Sequence, residues 1–327
     1  MINPFQAILN QNFKQLNSYL EHGNVNVVDS KGMSLLSYAI KLQSNDAVQI
    51  LLRAYVDVDI QDKKGNTCFH YAVLHNRLNY LRVLMTTNGN PMQKNKDGHT
   101  PLYLACRYRK EKMIDLYLEK YKLDMGEKDN NEETICMAFF RAKAPLLLKK
   151  YGGFENWLEE PNYIGNTPLL VAAERNSLPM VEFILEYPIF INIKNHINET
   201  VLFYAVRNNN KEMVDIFIKH GAFLDFKNKN AETIYDIASD EMKEFIEERK
   251  RAYKITTYKR RYPLHYAIYM NDSKMIEKSL TLKNVNTVDL YHFTPIKLAK
   301  LYKNKQAIDG IKSLERLAKI ATLETKF

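Results

Sequence analysis

Lys31-Gly32-Met33-Ser34-Leu35-Leu36-Ser37-Tyr38-Ala39, Lys64-Gly65-Asn66-Thr67-Cys68-Phe69-His70-Tyr71-Ala72 and Asp97-Gly98-His99-Thr100-Pro101-Leu102-Tyr103-Leu104-Ala105 are one phrase written three times. The glycines stand at 32, 65 and 98, a spacing of 33. The phrase returns at Gly165-Asn166-Thr167-Pro168-Leu169, at Asn198-Glu199-Thr200-Val201-Leu202 and at Ala231-Glu232-Thr233-Ile234-Tyr235. Tyr262-Pro263-Leu264-His265 and Thr294-Pro295-Ile296 continue it, and Glu133-Thr134-Ile135-Cys136 is a weaker copy. A fixed period of this length marks a repeat array, in which each unit buries its apolar face only against its neighbours.

Each position of the phrase has a mechanical reason. Glycine suits a tight turn where φ is positive. Thr caps a helix N-terminus and Pro fits its first turn. Leu and Ala then face neighbouring helices. A second helix follows in each unit, as in Ala47-Val48-Gln49-Ile50-Leu51-Leu52 and Met213-Val214-Asp215-Ile216-Phe217-Ile218, with helical apolar spacing and one polar side. Asn76, Asn176, Asn209 and Asn271 stand where the two helices meet, and Asn tolerates the left-handed conformation that ends a helix.

These residues resemble the ankyrin repeat, with its Gly-x-Thr-Pro-Leu-His-x-Ala core, in about nine copies over nearly the whole chain. The resemblance implies an all-α solenoid of helix–turn–helix units joined by short β-hairpin loops. Residues 1–28 keep a helix pair, 4–9 and 13–20, without the core phrase, and are expected to form an N-terminal capping repeat. Residues 29–250 then hold repeats one to seven, and 251–327 a basic C-terminal block of repeats eight and nine with a cap. Around 125–162 the pattern degenerates. Phe139 replaces Ala, Ala144-Pro145 cuts into the helical region, and Trp157, the only tryptophan, follows Gly152-Gly153. That stretch reads as a degenerate repeat or as an insertion with Trp157 as an aromatic anchor. Repeat seven is compressed, its successor starting 29 residues on, which predicts a kink there.

Composition narrows the function. With 46% hydrophobic and 26% charged residues the chain can bury a core. No apolar run reaches the length that spans a bilayer, no secretory signal is evident at the N-terminus, and Cys68, Cys106 and Cys136 are an odd set at no metal-like spacing. A reducing, cytoplasmic setting is expected. No nucleophile elbow, phosphate-cradling loop or zinc motif is present. Asp57-Val58-Asp59-Ile60-Gln61-Asp62 is similar to a calcium loop but lacks its third ligand, its glycine and its terminal Glu. No catalytic residue, metal or cofactor is expected, and the resemblance implies that His70 and His265, at the His of the core phrase, are structural groups bonding between repeats.

The resemblance places recognition on the concave face, at the turn tips and the exposed side of each first helix. That gives Lys63, Lys64, Asn66 and His75, then Lys96, His99, Arg107 and Tyr108. Later repeats add Tyr163, Ile164, Glu174, Arg175, Ile197, Arg207 and Asn208, and the C-terminal block adds Tyr258, Arg261 and Tyr269. Tyr and Arg are residues that protein interfaces favour. The expected function is a non-catalytic scaffold or inhibitor, monomeric, holding a partner protein. The chain is rich in Lys, Asn, Ile and Tyr, a bias common in AT-rich genomes including many bacteria, and for such a chain the resemblance implies an effector delivered into a host cell, or a toxin-neutralising protein, as a specific form. The alternative is a binder of nucleic acid, phosphate or an anionic membrane. Residues 249–327 hold 18 Lys/Arg against 6 Asp/Glu, whereas the rest of the chain holds 29 against 32. Arg249, Lys250, Arg251, Lys254, Lys259, Arg260 and Arg261 concentrate that charge.

Overall fold

The computed structural model describes residues 3–253, 261–289 and 293–324. It is built from helix pairs. In chain order these are α1 (Pro4–Leu9) with α2 (Phe13–His22), α3 (Leu35–Leu42) with α4 (Asn45–Arg53), and α5 (Cys68–Leu74) with α6 (Leu78–Leu84). Next come α7 (Pro101–Arg107) with α8 (Glu111–Leu118), α9 (Ile135–Arg141) with α10 (Pro145–Tyr151), and α11 (Pro168–Glu174) with α12 (Leu178–Leu185). Then follow α13 (Val201–Arg207) with α14 (Lys211–Lys219), α15 (Ile234–Ile237) with α16 (Asp240–Ala252), and α17 (Pro263–Met270) with α18 (Ser273–Ser279). Helices α19 (Leu282–Val285), α20 (Pro295–Leu301) and α21 (Lys305–Glu324) complete the chain. Two compact units result, Met1–Met180 and Val181–Phe327. The change of charge at 250/251 falls inside the second, where α16 packs on α14.

Helices of seven residues are marginal by themselves in water, so packing must hold them. In the middle repeats the first helix of the pair is buried along most of its length because neighbours cover it on both sides. From Cys68 to Val73 every residue of α5 is buried, and α9 buries Ile135 through Phe140. The second helix buries one stripe, Ala47, Val48 and Leu51 in α4 and Tyr80, Leu81 and Leu84 in α6. Ser34, Thr100 and Thr134 cap α3, α7 and α9, each side-chain oxygen accepting an N–H three residues on. At Thr67 the cap is shared with His70. Its Nδ1 accepts the Thr67 N–H at 3.1 Å, while Nε2 reaches the carbonyl of His99, one repeat on, at 3.0 Å. His265 reaches the carbonyl of Phe293 in the same way, at 2.9 Å.

The turns between pairs repeat one device. The side chain of Asp29, Asp62, Asn95, Asp129, Asn162, Asn195 or Asn228 accepts two N–H groups, two and four residues ahead. The residue three places beyond has φ from 57° to 81°, whether it is Gly32, Gly65, Gly98 and Gly165 or Glu132, Asn198 and Ala231. The non-glycine residues carry the strain of the left-handed region. Successive turns are joined by single backbone bonds. The N–H of Lys63 donates to Lys31 and that of Lys96 to Lys64, both at 2.9 Å, and Asn130 donates to Asp97 and Tyr163 to Asn131, both at 3.0 Å. In the second unit Lys229 donates to Ile197 at 2.9 Å. The β-hairpin expectation reduces, among the described residues, to two isolated bridges, Val28–Ser34 and Lys128–Thr134.

The degenerate stretch keeps its helix pair. Pro145 does not interrupt a helix; it occupies the first turn of α10, where its missing N–H costs nothing. Trp157 lies on Gly126 so closely that a Cβ there would meet the ring at 2.2 Å. In repeat seven α15 is a single turn of 4 residues, followed by the 13 of α16.

Candidate partner-binding face

In the first unit the turn tips and first-helix ends carry most of the expected residues at the surface. Lys63, Lys64 and Lys96 are exposed, as are Arg175 and Glu174. Tyr108 and Tyr163 expose 53% and 56% of their surface, far more than a packed aromatic. Ile164 and His75 are half-buried, His75 lying parallel to Tyr71. In the second unit Ile197, Arg207, Asn208 and Arg261 are exposed. Because the backbone beneath each tip is fixed by its Asx turn and interturn bond, these side chains project from a preorganised frame.

Charge on this face is partly spoken for. Glu133 is buried and takes a forked contact from Arg141, with the Asn162 amide donating to it at 3.2 Å. Arg141 also stands 3.7 Å from Glu174. The same pair recurs in the second unit, where buried Glu199 binds Arg207 across the same eight-residue spacing. Arg107 occupies the equivalent helix position, but the residue eight places before it is His99 rather than a glutamate, and it makes neither a hydrogen bond nor an ion pair with a described residue. Burial, with Arg141 and Arg175 nearby, disfavours its charge.

Three expected surface residues have other work. Asn66 is buried: its side-chain carbonyl accepts from Asn95 and its amide reaches Asp62, tying neighbouring turns together. Tyr269 is 1% exposed and belongs to a core cluster with Phe190, Phe223, Phe226 and Tyr302. Its hydroxyl donates to the Asn192 carbonyl, and Lys194 Nζ donates to its own carbonyl at 3.2 Å. The shortened seventh repeat removes the register on which its surface position was counted. His99 is held by Asp129 at 3.0 Å and stacks on Tyr103 at 4.4 Å. Burial would push the Asp129 carboxyl up, but His99 and the N–H groups of Glu133 and Asn131 outweigh it and hold it low.

The basic run is occupied where it is described. Arg249 pairs with Asp215 at 3.3 Å, and Lys250 with Glu247 at 3.1 Å. Arg251 Nε donates to the Glu247 carbonyl at 3.2 Å. All three lie in the last turn of α16, where the helix dipole favours cations. Arg261 lies over the Tyr262 ring. Lys254, Tyr258, Lys259 and Arg260 lie outside the described residues.

Cys68, Cys106 and Cys136 are buried, and burial pushes their thiols up, away from the reactive thiolate. Among the described residues no cluster of His, Cys, Asp and Glu is placed to hold a metal, and no helix is long and apolar enough to cross a membrane.

The helix pairs and turns define a class of stacked helical repeats, and comparison names it. A family model of ankyrin repeats matches residues 5–94, 56–129 and 144–230. The chain belongs to the ankyrin repeat family. Among curated relatives, inversin from Gallus gallus is 26% identical over 48% of this chain and 15% of its own length. The B-cell lymphoma 3 protein homolog from Mus musculus is 26% identical over 50% of this chain and 39% of its own. The putative ankyrin repeat protein FPV024 of Fowlpox virus is 32% identical over 38% and 21%. The chain thus spans well under half the length of each. Among solved structures the ankyrin repeat domain of Bcl-3 superposes with a TM-score of 0.52 at 22% identity, covering 68% of this chain and all of that one. The human ASB11 ankyrin repeat domain gives 0.53 at 20%, covering 66% and 97%. Ankyrin repeats generally mediate protein–protein interaction and are typically non-catalytic.

Proposed function

We propose that the chain is a non-catalytic scaffold that holds a partner protein on the concave face formed by its turn tips and first-helix ends. The observation that carries the proposal is the row of exposed, mixed aromatic and cationic side chains on backbone pinned turn by turn. Such a frame loses little conformational entropy on binding, and Tyr and Arg anchors suit an interface core. Occupancy of that face would make the protein an inhibitor, the form in which a toxin-neutralising or host-directed effector role belongs to this proposal. A cytoplasmic setting is proposed on the same footing, three buried free thiols being compatible with it. The alternative through residues 249–261 is favoured by the concentration of charge there, although Arg249, Lys250 and Arg251 already have partners.

The test is capture of a partner from lysate by the purified protein and by a variant carrying Arg107→Ala, Tyr108→Ala, Tyr163→Ala and Arg175→Ala, with circular dichroism to verify the fold. Loss of a captured protein in the folded variant supports the concave face. Capture that survives the variant but disappears on charge reversal of Lys254, Lys259 and Arg260 would transfer the function to the basic segment.

A further inference from the structure

Away from the paired charges of the turn row, the α3–α4 and α5–α6 connections and the first residues of α4 and α6 line a solvent-open cavity of about 260 Å³. Its lining is Gln43, Asn45, Asn76, Arg77, Leu78, Asn79 and Tyr80. The volume exceeds several waters at about 30 Å³ each. Arg77 Nε is buried and makes no hydrogen bond. A guanidinium nitrogen left in that state is costly unless something supplies an acceptor. Among the described residues no carboxylate pairs with Arg77. Asp46, the acidic residue that acts on Tyr80, is exposed, and Tyr80 donates instead to Asn45 at 2.5 Å.

The surroundings are positive. Lys41 and Arg77, after burial, help hold the His75 imidazole below its ordinary range. Ser44, the N-cap of the nine-residue α4, makes no side-chain capping hydrogen bond, and Asn45, which follows it, lines the cavity. A planar fork, several amides and no resident acid are the donor set that an oxyanion requires.

We propose that this cavity is an oxyanion-binding site, with Arg77 as its central donor, that takes a carboxylate or phosphate group. The group comes either from the acidic side chain of a partner or from a free ion. The site is independent of the concave-face reading and stands whether or not Arg107, Tyr108, Tyr163 and Arg175 bind a partner.

The experiment is NMR titration of the full chain at constant ionic strength, following Arg Nε–H and backbone amide signals. One arm adds inorganic phosphate and the other a hexaglutamate peptide. Saturable shifts at Arg77 Nε–H and at the Asn76 and Asn79 amides are expected in at least one arm. Saturation by phosphate assigns a free oxyanion, and saturation by the peptide assigns a presented carboxylate. Arg77→Gln should weaken binding about tenfold or more, and Arg77→Lys, which keeps the charge but not the fork, should fall between. Lys312→Gln, at an exposed position in the second unit, should leave it unchanged. Shifts that rise linearly at all basic residues, or binding undiminished in a folded Arg77→Gln protein, overturn the proposal.

Discussion

Acid should loosen the junction between the second and third turns through His70. Its Nδ1 must stay unprotonated to accept the Thr67 N–H, and its Nε2–H is committed to the His99 carbonyl. The ring is fully buried, and burial pulls its pKa down to about 4 from an ordinary 6.5. The unfolded chain therefore takes up a proton near pH 6.5, while the folded chain refuses it until about pH 4. The stability this provides is complete above the unfolded value and is lost as pH falls through that window. At about 1.4 kcal/mol per unit, the whole window is worth about 3 kcal/mol, and acidifying from about pH 7.5 to about pH 5 removes about 2 kcal/mol. Urea unfolding followed by circular dichroism over this range, in wild type and in His70→Gln, measures the share that belongs to this ring. His265, also lowered by burial, contributes a similar slope in both proteins and cancels in the comparison. The variant should be less stable at neutral pH and flatter with pH. An unchanged slope, or a His70 imidazole titrating near pH 6.5 by NMR, would falsify the argument.

Other expectations follow from single contacts. Asp62→Ala should cost about 1–3 kcal/mol in urea unfolding, because two turn N–H groups and the Tyr71 hydroxyl, which donates at 2.7 Å, lose their acceptor. Asp62→Asn should cost less, since Asn holds the equivalent place at 95, 162, 195 and 228. Ala231→Gly and Glu132→Gly, at φ of 63° and 57°, should each raise stability by up to about 1 kcal/mol, a gain that thermal unfolding can resolve. Arg207→Ala should destabilise the second unit by roughly 2 kcal/mol by leaving buried Glu199 unpaired, and adding Glu199→Gln should recover most of it in a double-mutant cycle.

The repeat was legible because its turn constrains backbone conformation, and few residues satisfy a left-handed φ cheaply. Gly32, Gly65 and Gly98 announced it, and Asn76, Asn176, Asn209 and Asn271 are indeed at φ of 49–56°. The Asp or Asn three places before the left-handed turn residue was equally periodic and went unread, although it organises the turns from 29 to 232. Arg141 was missed for a related reason. It stands at the position of Arg107 and Arg207, but in a repeat whose departures from the core phrase, Phe139 and Ala144-Pro145, obscure that register. Tyr269 could not be placed by counting, because repeat seven is shortened and register beyond it no longer reports which side faces water. Asn66 was misassigned because a turn tip alternates between outward and inward positions, and only its bond to Asn95 decides which it takes.

Beside side-chain ties such as Asn95 to Asn66 and Asn130 to the Lys96 carbonyl, successive turns are joined by bonds between peptide groups alone. Their strength is therefore indifferent to the side chains above them, so the tips can change identity without renegotiating the fold. Lys63-Lys64 and Tyr163-Ile164 stand on the same rung of this backbone stair, one pair cationic and the other aromatic and aliphatic. Exchanging them would rewrite what the surface attracts while leaving the stair intact, which makes the chain a natural substrate for grafted specificity.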